Sequence, residues 1–172
     1  LMLEHAALQL RYLGLSAHPY QQQLAAGFCD AAGRSLQVSV GVLTALRQRF
    51  ALGVISNFYG NVTTLCQECG LAALCDVIID SAQVGVSKPE QRIFTLALEQ
   101  LGRTPQTAVY VGDSFERDVL GARAAGLRTI WLRGLEARVC PDPSMVDATI
   151  TTLEELPAVL AVTANPRGQR VS

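Results

Sequence analysis

The chain has 172 residues, 49% of them hydrophobic and 17% charged, with a formal net charge of −1. That length suits one domain with a full core, or a core with a small appendage, and the composition excludes a disordered chain. There is no basic block to support nucleic acid as a partner, and no apolar run approaches the length of a membrane span.

The chain opens at Leu1, already inside an apolar-periodic segment. Leu3, Ala6, Ala7, Leu10 and Leu13 keep helical spacing, and Gly14 closes the segment. Pro19 opens a second predicted helix, with Leu24, Phe28 and Ala31 as its apolar positions and an end near Gly33. His5, His18 and Asp30 have no partner spaced to join them, so they read as surface or capping residues. A third helix is predicted from Val38 to Ala51, with Val42, Leu43, Leu46 and Phe50 on one face. It leads into a short buried strand, Leu52 to Ser56, which ends in Ser56-Asn57. A helix from Gly60 to Cys69 follows, then a strand from Val77 to Asp80 and a loop from Ser81 to Ser87.

Lys88-Pro89-Glu90 opens the next predicted helix, because proline is tolerated in a first helical turn. Ile93, Phe94, Ala97, Leu98 and Leu101 give it an apolar stripe, and Gly102 ends it. Ala108 to Val111 form an apolar strand that stops at Gly112-Asp113. The helix after it carries Asp118 near its start, with Gly121, Ala122 and Ala125 as small residues that allow close packing on the sheet. Gly126 ends that helix, and Arg128 to Leu132 form the next strand. Arg133 to Ser144 are predicted as an exposed loop, Ala148 to Ile150 as a short edge strand and Leu153 to Leu160 as a last helix. The alternation of helix and strand predicts an α/β fold with a parallel sheet.

The five cysteines are odd in number and irregular in spacing. Cys66-x-x-Cys69 lies in a helical pattern and has no second pair, so the thiols are expected to be free and buried rather than ligands for zinc. With no visible signal peptide, these features predict a reducing, cytoplasmic setting.

Three polar signals fall at equivalent strand ends. Ser56-Asn57 ends one strand, Lys88 follows another, and Asp113 and Asp118 follow a third. In a parallel sheet these loops share one rim, where ligands bind. Ser56 offers a hydroxyl, Asn57 a backbone N–H and Lys88 a positive charge, while two carboxylates can hold Mg²⁺ through oxygen ligands and water. Together they fit a phosphoryl group, whose transfer needs charge stabilisation at its equatorial oxygens. Each residue alone also has a structural explanation, as a turn former, a solvated lysine or a helix cap.

The ordered set V-I-S-N, G-V-S-K-P-E and V-Y-V-G-D-S-x-x-x-D-V-x-G-A-x-x-A-G resembles the haloacid dehalogenase-like hydrolase superfamily, over roughly Val38 to Leu160. The resemblance implies a Rossmann-like, three-layer parallel sheet with a partial helical cap. It divides the chain into a cap piece (1–36), a core domain (37–162) and a disordered tail (163–172). It implies that Ser56 and the Asn57 backbone bind the phosphoryl group and that Lys88 steadies the nucleophile and the phosphoryl charge. Asp113 is implied as a Mg²⁺ ligand, with Asp118 as the second acidic position, acting through water or neighbouring groups. The substrate implied is a small phosphorylated metabolite. Gly112-Asp113 favours the phosphatase branch, since the dehalogenase branch needs no metal ligand there.

The superfamily's first motif, Asp-x-Asp on a first strand, supplies the nucleophile and the general acid/base, and no such pair occurs in these 172 residues. Either the chain is a piece of a longer protein, as the start within a helical pattern suggests, or it is a homologue that lacks the motif. Both imply that the chain alone does not turn over phosphate esters. The resemblance places the missing strand between those ending at Ser56 and Gly112. These are then expected to pair directly, recruit a strand from another chain or leave open edges, and the chain is expected either to form a homodimer through those edges or to close the gap. A non-catalytic binding protein on the same scaffold is the alternative function.

Overall fold

The structure is a computed structural model that describes residues 20–136 and 138–163. The first predicted helix, His5, His18 and residues 164–172 of the predicted tail lie outside the described residues. The chain divides into two compact units, Leu1–Ser39 and Val40–Ser172. A single helix, α1 (Tyr20–Arg47), occupies the sequence on both sides of that division. The expected break near Gly33 is therefore absent. An interior glycine costs a helix roughly 1 kcal/mol relative to alanine, too little to end it when both flanks propagate. Ser39 and Thr44 donate their hydroxyl protons to the carbonyls four residues back, at Ser35 and Val40, and so stay within the helical pattern.

The second unit carries the sheet. Strand β1 (Gly53–Ser56) pairs in parallel with β2 (Val77–Asp80). Strand β3 (Val109–Gly112) pairs in parallel with β4 (Arg128–Leu132), and β4 with β5 (Ala148–Ile150). The five strands thus form two sheets, ordered β1-β2 and β3-β4-β5. Direct pairing of β1 with β3, one of the expected ways to close the sheet, does not occur. A groove of about 770 Å³ is lined by both strands.

Helices cover both faces. On one face, α4 (Gln91–Leu101) and α5 (Leu120–Ala124) contribute Ile93, Phe94, Leu98 and Ala122 to a cluster with Val77 and Ile79 of β2. On the other, Leu46 of α1 and Leu156 and Leu160 of α6 (Leu156–Thr163) pack with Ile130 and Ile150. Strands buried on both faces read as continuous apolar runs, as Val77–Ile79 does. The short α2 (Val62–Glu68) follows β1.

Three local expectations change. Ser81–Val84, predicted as loop, is a helical turn, α3, because Asp80 accepts from the Ala82 N–H at its start and Gly85 ends it at φ 73°. Asp80 also accepts from the Val62 N–H, so this 1%-exposed carboxylate fixes two helix starts. Pro89 lies ahead of α4 rather than in its first turn, Glu90 is the N-cap, and the Lys88–Pro89 peptide is cis. The small residues of α5 pack on α4 as well as toward the sheet: a methyl group at Gly121 would lie 2.7 Å from the Phe94 ring and 2.8 Å from the Pro89 carbonyl.

Among the described residues, no helix is long and apolar enough to cross a membrane. Cys66, Cys69, Cys75 and Cys140 are free thiols. Burial, and then the neighbouring Cys69, push the Cys66 thiol up; burial does the same for Cys75.

Candidate active site

The carboxyl ends of β1 and β3 and the loop after α3 converge on one rim. Asn57, just after β1, clamps the Lys88 backbone. Its Nδ2 donates to the Lys88 carbonyl at 2.9 Å, and the Lys88 N–H donates to its Oδ1 at 2.8 Å. The sequence offered Asn57 for its backbone N–H; its side chain turns out to fix the lysine loop, 31 residues away. Ser56 occupies the last position of β1, in register with Asp80.

Lys88 reaches inward. Its Nζ donates to Asp118 Oδ1 at 2.7 Å and to the Tyr110 hydroxyl at 3.1 Å. The Tyr110 hydroxyl in turn donates to Asp118 Oδ1 at 3.1 Å. The second Asp118 oxygen, Oδ2, accepts from the Ser114 N–H at 2.9 Å. The Lys88 and Asp118 side chains are 14% and 4% exposed, so this ion pair is held away from water, where an unpaired charge would be costly. Burial, followed by the Asp118 carboxylate, pushes the Tyr110 phenol far above its ordinary range, so it stays a proton donor.

Asp118 reaches this position because the chain after β3 takes a wider turn than an α-helix. Phe115–Val119 form a π-helical turn, opened by Ser114, whose hydroxyl accepts from the Arg117 N–H. Such turns recur at functional sites. Gly112 makes room for it: a methyl group there would lie 2.4 Å from Asp118 Cβ.

Asp113, the residue after β3, is exposed. Its carbonyl accepts from the indole N–H of Trp131 at 3.1 Å and from Arg138 at 3.4 Å. The Arg138 guanidinium lies 5.6 Å from the centre of the Trp131 ring. The backbone of Asp113 is therefore held in place while the residue stays exposed at the mouth of the groove.

The structure thus brings Lys88 and Asp118 into direct contact, with Asn57 bonded to the lysine backbone and Ser56 and Asp113 at the adjoining strand ends. Sequence reasoning missed Tyr110 and Trp131. An aromatic hydroxyl in an otherwise aliphatic strand, and the single tryptophan of the chain, were the available signals. Among the described residues no group of three or more His, Cys, Asp or Glu side chains is placed to hold a metal ion. Mg²⁺ needs few protein ligands, since it keeps several waters and binds one or two carboxylates. Asp113 fits that role as an exposed carboxylate. Both oxygens of Asp118 are already engaged, which fits a group that orients its neighbours.

The family model for haloacid dehalogenase-like hydrolases matches residues 6–126. The chain is 36% identical over 124 residues to pyrimidine 5'-nucleotidase YjjG of Escherichia coli, covering 71% of this chain and 55% of that protein. It is 40% identical over 96 residues to phosphoserine phosphatase of Thermus thermophilus, covering 53% of this chain and 37% of that protein. It therefore spans about half the length of these relatives, or less. Among solved structures, a HAD phosphatase from Thermococcus onnurineus superposes with a TM-score of 0.67 at 24% identity, covering 92% of this chain and 86% of that one. A 2-haloacid dehalogenase from Pseudomonas syringae pv. Tomato superposes with a TM-score of 0.65 at 26% identity, covering 94% and 70%. The α/β architecture, the parallel strands and the matched residues agree: the chain belongs to the haloacid dehalogenase-like hydrolase family.

Proposed function

We propose that the rim formed by Ser56, Lys88 and Asp113 is the phosphoryl- and Mg²⁺-binding part of a phosphohydrolase acting on a small phosphorylated metabolite. The observation that carries this reading is the buried Lys88–Asp118 pair at 2.7 Å, near the exposed Asp113. Relatives named as phosphatases and a nucleotidase support phosphate-ester chemistry over dehalogenation.

Each residue has a distinct task. The Ser56 hydroxyl and the Asn57 N–H donate to phosphoryl oxygens. The Lys88 ammonium offsets phosphoryl charge, with its loop fixed by the Asn57 side chain and its direction set by Asp118 and Tyr110. Asp113 would hold Mg²⁺, which would supply further charge stabilisation at those oxygens. Asp118 would act at one remove from a metal at Asp113, since its own oxygens are bonded to Lys88, Tyr110 and Ser114. The 172 residues contain no Asp-x-Asp, so the chain alone binds the phosphoryl group without turning it over.

Hydrolysis of p-nitrophenyl phosphate with and without Mg²⁺ tests this. The 172-residue chain should leave the ester intact. A longer polypeptide that adds an Asp-x-Asp strand should hydrolyse it only with Mg²⁺, and Asp113→Asn should abolish that activity. Mg²⁺-independent hydrolysis, or full activity in Asp113→Asn, overturns the assignment.

A further inference from the structure

We propose that Trp131 and Arg138 are positioning residues for Asp113, which set the affinity of its carboxylate for Mg²⁺ by fixing its backbone. The inference rests on the reading of Asp113 as the metal ligand. Both residues lie beyond 6–126, the span that the family model matches.

The backbone needs such support at this point. The paired residues of β3 and β4 end at Gly112 and Trp131, so Asp113 stands one residue past them. The π-helical turn takes its first bonds one residue later, where the Ser114 carbonyl accepts from the Asp118 and Val119 N–H groups at 2.8 and 3.3 Å. Asp113 belongs to neither element, and side chains take its carbonyl instead. Trp131 Nε1 donates to it at 3.1 Å and Arg138 Nη1 at 3.4 Å. Fixing the plane of that peptide restricts the two dihedrals beside it, and with them the places where the carboxylate can stand. An exposed carboxylate on an unsupported residue would lose that freedom only on meeting the cation, at the expense of affinity. Groups that orient a metal ligand matter for this reason although they never touch the metal.

Each donor is anchored in turn. Trp131 is 3% exposed and meets Phe115 edge-to-face, with ring centres 6.3 Å apart. Phe115 opens the turn that carries Asp118. One indole thus holds the Asp113 carbonyl and packs on the turn of the second acidic residue. Arg138 donates through Nε to the Arg133 carbonyl at 2.8 Å and through Nη2 to the Leu132 carbonyl at 3.4 Å. Its guanidinium lies 5.6 Å from the centre of the Trp131 ring. The planar fork of an arginine suits this bridging, which ties the end of β4 to the residue after β3. Gly134, at φ 76°, supplies the turn between β4 and Arg138.

A tryptophan that only filled the core would need its ring and not its N–H. The two roles separate in Trp131→Phe, which keeps an aromatic ring against Phe115 and deletes the donor. A packing role shows in the unfolding temperature; a positioning role shows in the metal affinity of the folded protein.

The experiment is calorimetric titration of the 172-residue chain with Mg²⁺ in the presence of inorganic phosphate. Folded Trp131→Phe should bind Mg²⁺ about fivefold more weakly, the equivalent of one net hydrogen bond. Arg138→Met, on an exposed segment, should weaken binding in the same direction, and it decides the matter if Trp131→Phe does not fold. The chain has one tryptophan, so its indole N–H gives a single proton–nitrogen NMR resonance. That resonance should move on saturation with Mg²⁺, and it should not move in Asp113→Asn. Parental affinity in the folded variants, or an indole resonance that ignores bound Mg²⁺, overturns the positioning role and leaves the metal assignment standing. A parent chain that binds no Mg²⁺ overturns the metal assignment, and the positioning role with it.

Discussion

On the rim, Asp118 is closed off by Lys88, Tyr110 and the Ser114 N–H, all from this chain. In the groove just below, the same strands β1 and β3 present unpaired edges to an apolar slot. The difference teaches which parts of this fold are local. The rim is assembled by side chains on loops next to strand ends, each needing one or two partners. The groove leaves the facing edges of β1 and β3 unpaired, and no arrangement of nearby side chains replaces a backbone ladder. The rim can therefore hold its geometry while the sheet remains divided.

Removing one member of the buried ion pair would break that contrast most severely. Lys88→Met should cost about 3–4 kcal/mol, because it leaves Asp118 buried without its cation. Urea unfolding monitored by circular dichroism reads this, and a loss below about 1 kcal/mol would mean that water reaches the pair. Gly112→Ala comes next. The added methyl group would sit 2.4 Å from Asp118 Cβ, so the expected loss is about 2–3 kcal/mol from overpacking, with Asp118 displaced from Lys88. An unchanged midpoint would show that the turn after β3 can shift freely.

Tyr110→Phe is gentler. It keeps the edge-to-face contact with Phe94 at 5.0 Å and removes only the hydroxyl, for an expected loss of about 1 kcal/mol. A larger loss would make the hydroxyl essential to the network. The smallest effect is at Asp76, outside the rim. The Leu52 N–H, and then Arg47, hold its carboxyl below the ordinary value of 3.8. A depressed folded value means the contribution is present above the unfolded value and lost as pH falls through the folded one. Asp76→Asn should therefore lower stability slightly at neutral pH and converge with the parent in acid. A constant difference at all pH values would remove the ionic explanation.

Much of this was legible in the sequence, for identifiable reasons. β2 and β4 were found at their observed bounds because their apolar runs are bounded by loop signals. Lys88 and Asp118 were named from the order of motifs, and the structure joins them. The single helix through Gly33 was not legible, because one glycine reads as punctuation while the helix tolerates its small cost. The π-helical turn was missed because the register that lengthens a turn by one residue leaves no periodic trace in five residues. The Asn57 side-chain clamp spans 31 residues, a distance over which local pattern carries nothing.

The central claim is that the rim binds a phosphoryl group together with Mg²⁺. The most direct measurement is the binding of inorganic phosphate to the 172-residue chain, followed by phosphorus NMR with and without Mg²⁺. The account predicts saturable binding that Mg²⁺ strengthens, with the strengthening lost in Asp113→Asn and all binding weakened in Ser56→Ala. Binding that ignores Mg²⁺, or that survives both substitutions unchanged, would contradict it.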